Sequence, residues 1–417
     1  MATLTTKRES ILYTVFISIV FFFYFYKANL TFLGLPAFIN SQRICAVMLV
    51  AISFFQSGRP VLNRNDITYK KYRRFIIFNI CILLYMFLIV LIVGRGEGTS
   101  MIELLINQLV VGYFLISFEI KDFKSIDYFM SILIWIHIAQ SIIIWLCAIN
   151  PVFMSVLDLT FNNNNSDWYE VQRGAYAGGI GCITSSGAVK FAFGLVACLY
   201  KYLRTSSFKY ILLYVFFSLT ISVIARTGLL IALVCFPFFL SHLFRLSTKY
   251  NIITIGLVVL IGAIFISQFG NKLELFEDSI NRYEFLKDGG TKNWIENGYL
   301  AGAETELPSL SVETIIGTTI TSGVSGNGIK VNVDGGFLRS YVALGLPLAV
   351  IFYFVVFFSF LQIRNKSRDK VLRTTILYLI LVLLIGELKE PYLFSIIPLP
   401  ISYLIVLLSE STGEINH

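Results

Sequence analysis

Charge is scarce in this chain. Asp, Glu, Lys and Arg make up 14% of the 417 residues, where a soluble domain carries roughly 25%. The deficit, set beside 38 Phe and 22 Tyr, excludes a protein that keeps its surface in water and points to the bilayer. Histidine is scarcer still: His137 and His242 lie inside apolar runs, where a core or interface role fits them, and His417 is terminal. The polar stretches hold no His/Cys/carboxylate spacing suited to a metal centre. Neither a metal nor an organic cofactor is therefore expected. The six cysteines exclude a disulfide framework. Cys45, Cys81, Cys147, Cys198 and Cys235 fall in apolar segments, and Cys182 has no partner in its loop. A formal net charge of +8 does not imply a nucleic-acid partner, because the basic residues are scattered between apolar runs, where membrane topology requires them.

What the chain has in abundance is long apolar runs. They cover residues 11–26, 44–55, 75–93, 102–118, 128–149, 187–203, 210–224, 229–244, 252–266, 337–360, 376–385 and 393–408. A bilayer span needs about 20 residues, so the shorter runs must extend into flanking polar residues. The expectation is an all-α polytopic membrane protein, a single domain over 1–417 with about 12 transmembrane helices. Lys7 and Arg8 precede the first run as in a signal peptide, but no small-x-small cleavage site follows. An uncleaved first helix is expected.

The positive-inside rule orients the spans. With the N-terminus inside, about 20 of the 33 Lys and Arg fall on the cytoplasmic side, including the clusters Arg59 to Arg74 and Arg364 to Arg373. Both termini are then cytoplasmic. Two long polar loops, 151–186 and 270–335, are extracytoplasmic. In the second, Leu273, Phe276, Ile280, Tyr283 and Leu286 recur at helical spacing until Gly289 and Gly290. That helix is expected to lie along the outer leaflet or to cap a cavity. Gly323, Gly326 and Gly328 mark a flexible stretch after it, and the run Asn162 to Asn165 reads as a solvated loop tip.

Charges also stand at the outer ends of spans. Arg226 sits in a short turn, Ala225-Arg226-Thr227-Gly228. Arg173 closes the first loop, Asp334 and Arg339 flank the start of the tenth run, and Glu387, Lys389 and Glu390 lie between the last two. A charge at bilayer depth costs about 2.5–3.5 kcal/mol on insertion scales. Singly, Arg226 and Lys389 are also explained by snorkelling, and Arg339 by pairing with Asp334. Together, four cations and three carboxylates on one face make a site with phosphate-binding and acid/base groups. Guanidinium forks bind phosphate oxygens bidentately. A buried carboxylate suits proton abstraction from a sugar hydroxyl. Positioned cations stabilise a departing diphosphate. These needs describe glycosyl transfer from a lipid diphosphate. Asp334, after a glycine-rich loop, is the favoured base and Glu387 the alternative; Glu390, beside Lys389 and before Pro391, reads as a structural ion-pair partner.

Four short motifs carry a family resemblance. Ser222 to Leu230 reads Ser-Val-Ile-Ala-Arg-Thr-Gly-Leu-Leu. Val333-Asp334-Gly335-Gly336-Phe337-Leu338 is followed by Gly345-Leu346-Pro347. Glu387-Leu388-Lys389-Glu390-Pro391 lies near the C-terminus, and Arg173-Gly174 leads through Gly181 to Ser185-Ser186. In order and placement the chain resembles the bacterial O-antigen polymerase (Wzy) family, within the O-antigen ligase/polymerase superfamily. The resemblance implies a glycosyltransferase C-like fold in the bacterial inner membrane. It implies transfer of a growing glycan from undecaprenyl diphosphate onto the next lipid-linked repeat unit. It also implies lipid-diphosphate contacts from Arg173, Arg226, Arg339 and Lys389, and a chain-length regulator and a flippase as partners. One family variant, an arginine with a glycine at fixed offset in each long loop, is absent: Arg173 and Arg282 have Thr184 and Asn293 there. Two alternatives remain. O-antigen ligases generally carry a histidine in the large outer loop, and 270–335 has none. A lipid-linked oligosaccharide flippase or transporter explains intramembrane charge without chemistry, but not two long outer loops.

Overall fold

The computed structural model describes residues 2–35, 39–57, 67–93, 126–162, 179–181, 184–224, 315–318, 323–324, 330–331 and 336–389, with isolated positions at 228, 231–232, 236, 401–402 and 405. Among the described residues there are ten α-helices: α1 (Ala2–Phe25), α2 (Ser41–Ser57), α3 (Ile67–Val93), α4 (Ile126–Ile149), α5 (Pro151–Leu157), α6 (Thr184–Thr205), α7 (Phe208–Ile224), α8 (Gly336–Leu344), α9 (Leu346–Lys366) and α10 (Lys370–Lys389). The strand pairing described is one antiparallel ladder, β1 (Gly323–Val324) with β2 (Lys330–Val331). The runs expected at 102–118, 229–244, 252–266 and 393–408 lie wholly or mostly outside the described residues, as does the amphipathic helix expected near 273–286.

Three described helices are long and apolar enough to cross a bilayer: Ile126–Ile149, Leu346–Lys366 and Lys370–Leu388. The reason is visible in α9. Ala349, Phe352, Val356 and Phe360 form its buried stripe, while Leu346, Val350, Phe354 and Phe358 form an exposed one. A helix that is apolar on both faces has no side for water. In α3, Ile77, Ile80, Leu84, Phe87, Leu88 and Leu91 are likewise exposed. This is the character of a membrane protein.

The chain divides into two compact units, Met1–Pro60 with Phe123–Ser279, and Val61–Asp122 with Ile280–His417. In the first, α6 is the central helix. Nearly every residue from Ala188 to Tyr200 is buried, whichever way it points. Its small residues admit close neighbours, as helix packing in lipid favours. At Gly194 the His137 ring of α4 fills the space a side chain would take: an added Cβ would lie 2.8 Å from its Cγ. His137 is fully buried, with Nδ1 at 2.5 Å from the Leu133 carbonyl and Nε2 at 3.1 Å from that of Lys190. The Trp145 indole donates to Thr220 Oγ1 at 3.0 Å, tying α4 to α7. Lys201 near the end of α6 meets Asp127 at the start of α4 at 2.5 Å, so these two helices run antiparallel.

The stretch 151–186 does not begin as a loop. Asn150 caps α5 by accepting from Val152 N at 3.0 Å and Phe153 N at 3.2 Å, and Pro151 occupies the first turn, where its missing N–H costs nothing. A π-helical turn over Asp158–Asn162 follows.

In the second unit, the run 337–360 is two helices, not one. The chain breaks at Gly345, whose φ of +78° belongs to glycine, and Pro347 opens α9. Gly317 (φ +100°) packs its backbone against the break, and Thr318 donates through N and Oγ1 to the Val342 carbonyl at 2.9 and 3.1 Å. The Tyr85 hydroxyl of α3 donates to the Ile316 carbonyl at 2.6 Å. Helices α9 and α10 then form an antiparallel hairpin over a short turn. Asp369 caps α10 by accepting from Val371 N at 2.8 Å.

Candidate functional site

The α9–α10 hairpin sets the ends of the second unit apart by charge. Arg364, Lys366, Arg368, Lys370 and Arg373 crowd its turn. At the opposite end stand the start of α9, the end of α10 and helix α8. Three side chains meet there, one from each helix: Ser340 of α8, Tyr353 of α9 and Glu387 of α10.

Helix geometry brings them together. Cα–Cβ bonds tilt toward a helix's own N-terminus. In α9 that direction leads toward the end opposite the basic turn, and in antiparallel α10 it leads away from it. Tyr353, about 10 Å into α9 at 1.5 Å per residue, therefore reaches outward. Glu387, near the last turn of α10, reaches inward. The phenol oxygen lies 2.7 Å from Glu387 Oε2 and 2.7 Å from Ser340 Oγ. A phenol has one proton and an ionised carboxylate can only accept. With Glu387 ionised, Tyr353 gives its one proton to the carboxylate, and the Ser340 hydroxyl is then the donor in its pair with Tyr353. Ser340 and Glu387 are 0% exposed, while Tyr353 keeps some accessible surface. Aromatic rings fix the phenol: Phe337 tilts against it at 4.7 Å, Phe352 meets it edge-on at 5.5 Å and Phe357 stacks at 6.3 Å.

Of the residues the sequence singles out, Glu387 belongs to this three-helix group. Arg339 precedes Ser340 on α8 and is half-buried. Lys389 is the last residue of α10, two positions beyond Glu387. Asp334, Arg173, Arg226 and Glu390 lie outside the described residues. Tyr353 and Ser340 were not singled out by sequence reasoning. The phenol is one Tyr of 22, set in a Phe-rich run, and nothing local marks it as polar in use.

The first unit describes the end of the motif that begins at Arg173. Gln140 of α4 donates through Nε2 to the Ile180 carbonyl at 3.0 Å. Gly181 takes φ +54° with its backbone pressed on that of Lys27, so that a side chain there would collide with the Lys27 carbonyl. Gly179 and Gly181, the described glycines of this motif, are thus places of close approach. Lys27 is a cation that sequence reasoning passed over. Desolvation by the surrounding protein, and then the charge of Arg43, lower the pKa of its ammonium from the usual value. Among the described residues no group of three or more His, Cys, Asp or Glu is placed to hold a metal ion.

The chain matches no family model, no curated protein and no solved structure.

Proposed function

We propose that this protein is a surface-polysaccharide polymerase of the O-antigen polymerase type, a polytopic glycosyltransferase of the bacterial inner membrane. In this reading about 12 spans cross the bilayer, both termini are cytoplasmic, and the loops 151–186 and 270–335 face outward. The observation that carries it is the buried, hydrogen-bonded Glu387 at the end of a hairpin opposite a turn that holds five basic residues. Basic residues mark the cytoplasmic side, which gives the Glu387 end an outward orientation.

The chemistry follows. A hydroxyl of the incoming lipid-linked unit attacks the anomeric carbon of the growing glycan. The bond from that carbon to the diphosphate oxygen breaks, and undecaprenyl diphosphate leaves with the electron pair. The hydroxyl proton passes to a carboxylate, Asp334 or Glu387. Arg173, Arg226, Arg339 and Lys389 meet the diphosphate charge, the guanidinium groups by bidentate contact. No cofactor takes part. A chain-length regulator and a flippase would act beside it.

Deletion of the gene, followed by analysis of surface polysaccharide, tests this reading. A polymerase null leaves lipid A-core bearing a single repeat unit. A null with no repeat attached indicates a ligase, and lipid-linked units retained on the inner face indicate a flippase.

A further inference from the structure

Within the polymerase reading, on which this inference rests, Glu387 raises a problem of access. It is 0% exposed, and a base must come within hydrogen-bond reach of the proton it takes. Ser340 is equally enclosed. Tyr353 is the member of the three with surface left accessible. Its phenol oxygen lies 2.7 Å from Glu387 Oε2 and 2.7 Å from Ser340 Oγ; with Glu387 ionised it donates to the carboxylate and accepts from the serine. A phenol oxygen has a second lone pair, which leaves it one further bond to make.

We propose that Glu387 acts on the acceptor sugar through Tyr353, with Ser340 aligning the phenol: Tyr353 is a proton carrier between the acceptor hydroxyl and a buried carboxylate base. The step balances. The acceptor hydroxyl donates to the free lone pair of Tyr353 Oη. As its oxygen bonds to the anomeric carbon, its proton moves to Oη while the phenolic proton moves to Glu387 Oε2. Tyr353 ends neutral, Glu387 ends as the acid, and the diphosphate departs with the electron pair of the broken bond. The reverse shift after product release, with loss of one proton to solvent, restores the starting state. The carrier's geometry is fixed before substrate arrives, because the ring is wedged by Phe337, Phe352 and Phe357. The arrangement assigns the base role to Glu387 in preference to Asp334.

The test uses the full-length protein in nanodiscs and undecaprenyl-diphosphate-linked repeat units from a strain deleted for the gene. Elongation is followed against pH for wild type, Tyr353→Phe, Glu387→Gln, the double variant and Ser340→Ala. Removing an acid/base group costs about 10²–10⁴-fold in rate. Tyr353→Phe and Glu387→Gln should each lower kcat by about 10²-fold or more, with KM within about twofold. Both should lose the acid limb of the pH–rate profile. The double variant should be no slower than the worse single one, since the two groups act as a unit. Ser340→Ala should lose about three- to tenfold in kcat and keep the acid limb. A merely structural tyrosine would give additive losses and an unchanged pH profile. That result, or wild-type kcat in Tyr353→Phe, overturns the carrier. Should Tyr353→Phe fail to accumulate in membranes, wild-type rates in both Ser340→Ala and Glu387→Gln overturn it instead. Failure of the wild-type protein to elongate these units would overturn the polymerase reading itself.

Discussion

Gly194→Ala weighs two opposed effects of known size. Gly194 lies mid-helix in α6, and replacing an interior helical glycine by alanine is ordinarily favourable by roughly 0.5–1 kcal/mol. Here the added methyl would sit 2.8 Å from His137 Cγ, 2.9 Å from Cδ2 and 3.1 Å from Cβ. The imidazole has little room to yield. Its nitrogens lie against the Leu133 and Lys190 carbonyls. Rings of Phe191, Phe25, Tyr26 and Phe217 surround it at 5.1, 5.4, 5.8 and 6.0 Å. Overpacking a filled core costs typically about 1–3 kcal/mol. The clash wins, and the substitution should destabilise the first unit by about 1–2 kcal/mol net. Thermal unfolding of the purified protein in one detergent measures this as a lower apparent midpoint. In a His137→Ala background the obstacle is gone, and the same substitution should be neutral or stabilising, so the cycle should show strong coupling. A Gly194→Ala protein with a midpoint above wild type would refute the packing of α4 against α6.

Four further outcomes are expected. Cysteines placed at Asn163 and Glu304 should react with an impermeant thiol reagent in intact cells whose outer membrane admits it, and one at Arg368 should not; the opposite pattern would invert the topology and remove the outward face. Arg226→Lys keeps the charge but loses the bidentate fork, so polymer yield should fall about tenfold or more; a wild-type yield would make Arg226 a topology signal only. Elongation by the purified protein should persist in a chelator, and loss restored by magnesium or manganese would disprove metal independence. Asp334→Asn should cost less activity than Glu387→Gln, and Glu390→Gln should mainly lower protein abundance, as judged by polymer profile and immunoblot; long polymer from Glu387→Gln but not from Asp334→Asn returns the base role to Asp334.

The helices were legible where apolar runs were long. The run 128–149 became Ile126–Ile149, and the run 187–203 became Thr184–Thr205, lengthened into its polar flanks as a span requires. The break in 337–360 was not read, although its signal was present: Gly345-Leu346-Pro347 combines a residue free to take positive φ with one that lacks an N–H. Hydropathy alone passes over such a break, because Leu344 and Leu346 are as apolar as their neighbours. Likewise α5 hid inside an expected loop. Its announcement was the pair Asn150-Pro151, a cap followed by a first-turn proline, rather than any periodicity in seven residues. The site was half legible. Glu387 stood out because a carboxylate near the end of an apolar run is costly. Tyr353 did not, because a phenol is apolar enough to sit in any such run, and only the tertiary meeting of α8, α9 and α10 shows what its hydroxyl does.

That meeting also accounts for how Glu387 is tolerated. A charged side chain at the centre of a span costs about 2.5–3.5 kcal/mol on insertion scales, and less toward its end, where Glu387 stands. A hydrogen bond to a charged group contributes about 1.5–3 kcal/mol, so the bond from Tyr353 offsets most of the penalty. Ser340 contributes indirectly, by giving the phenol a donor that orients it. The balance is close, so the three side chains are coupled: the phenol's bond helps to hold the carboxylate in a dry place, and the serine helps to point the phenol. Any hydrophobic residue of similar bulk at position 387 would pack more easily, since polar groups buried in apolar surroundings cost stability unless fully bonded. A carboxylate kept there, bonded to a phenol that keeps some accessible surface, is a cost that the stability of the fold alone does not call for.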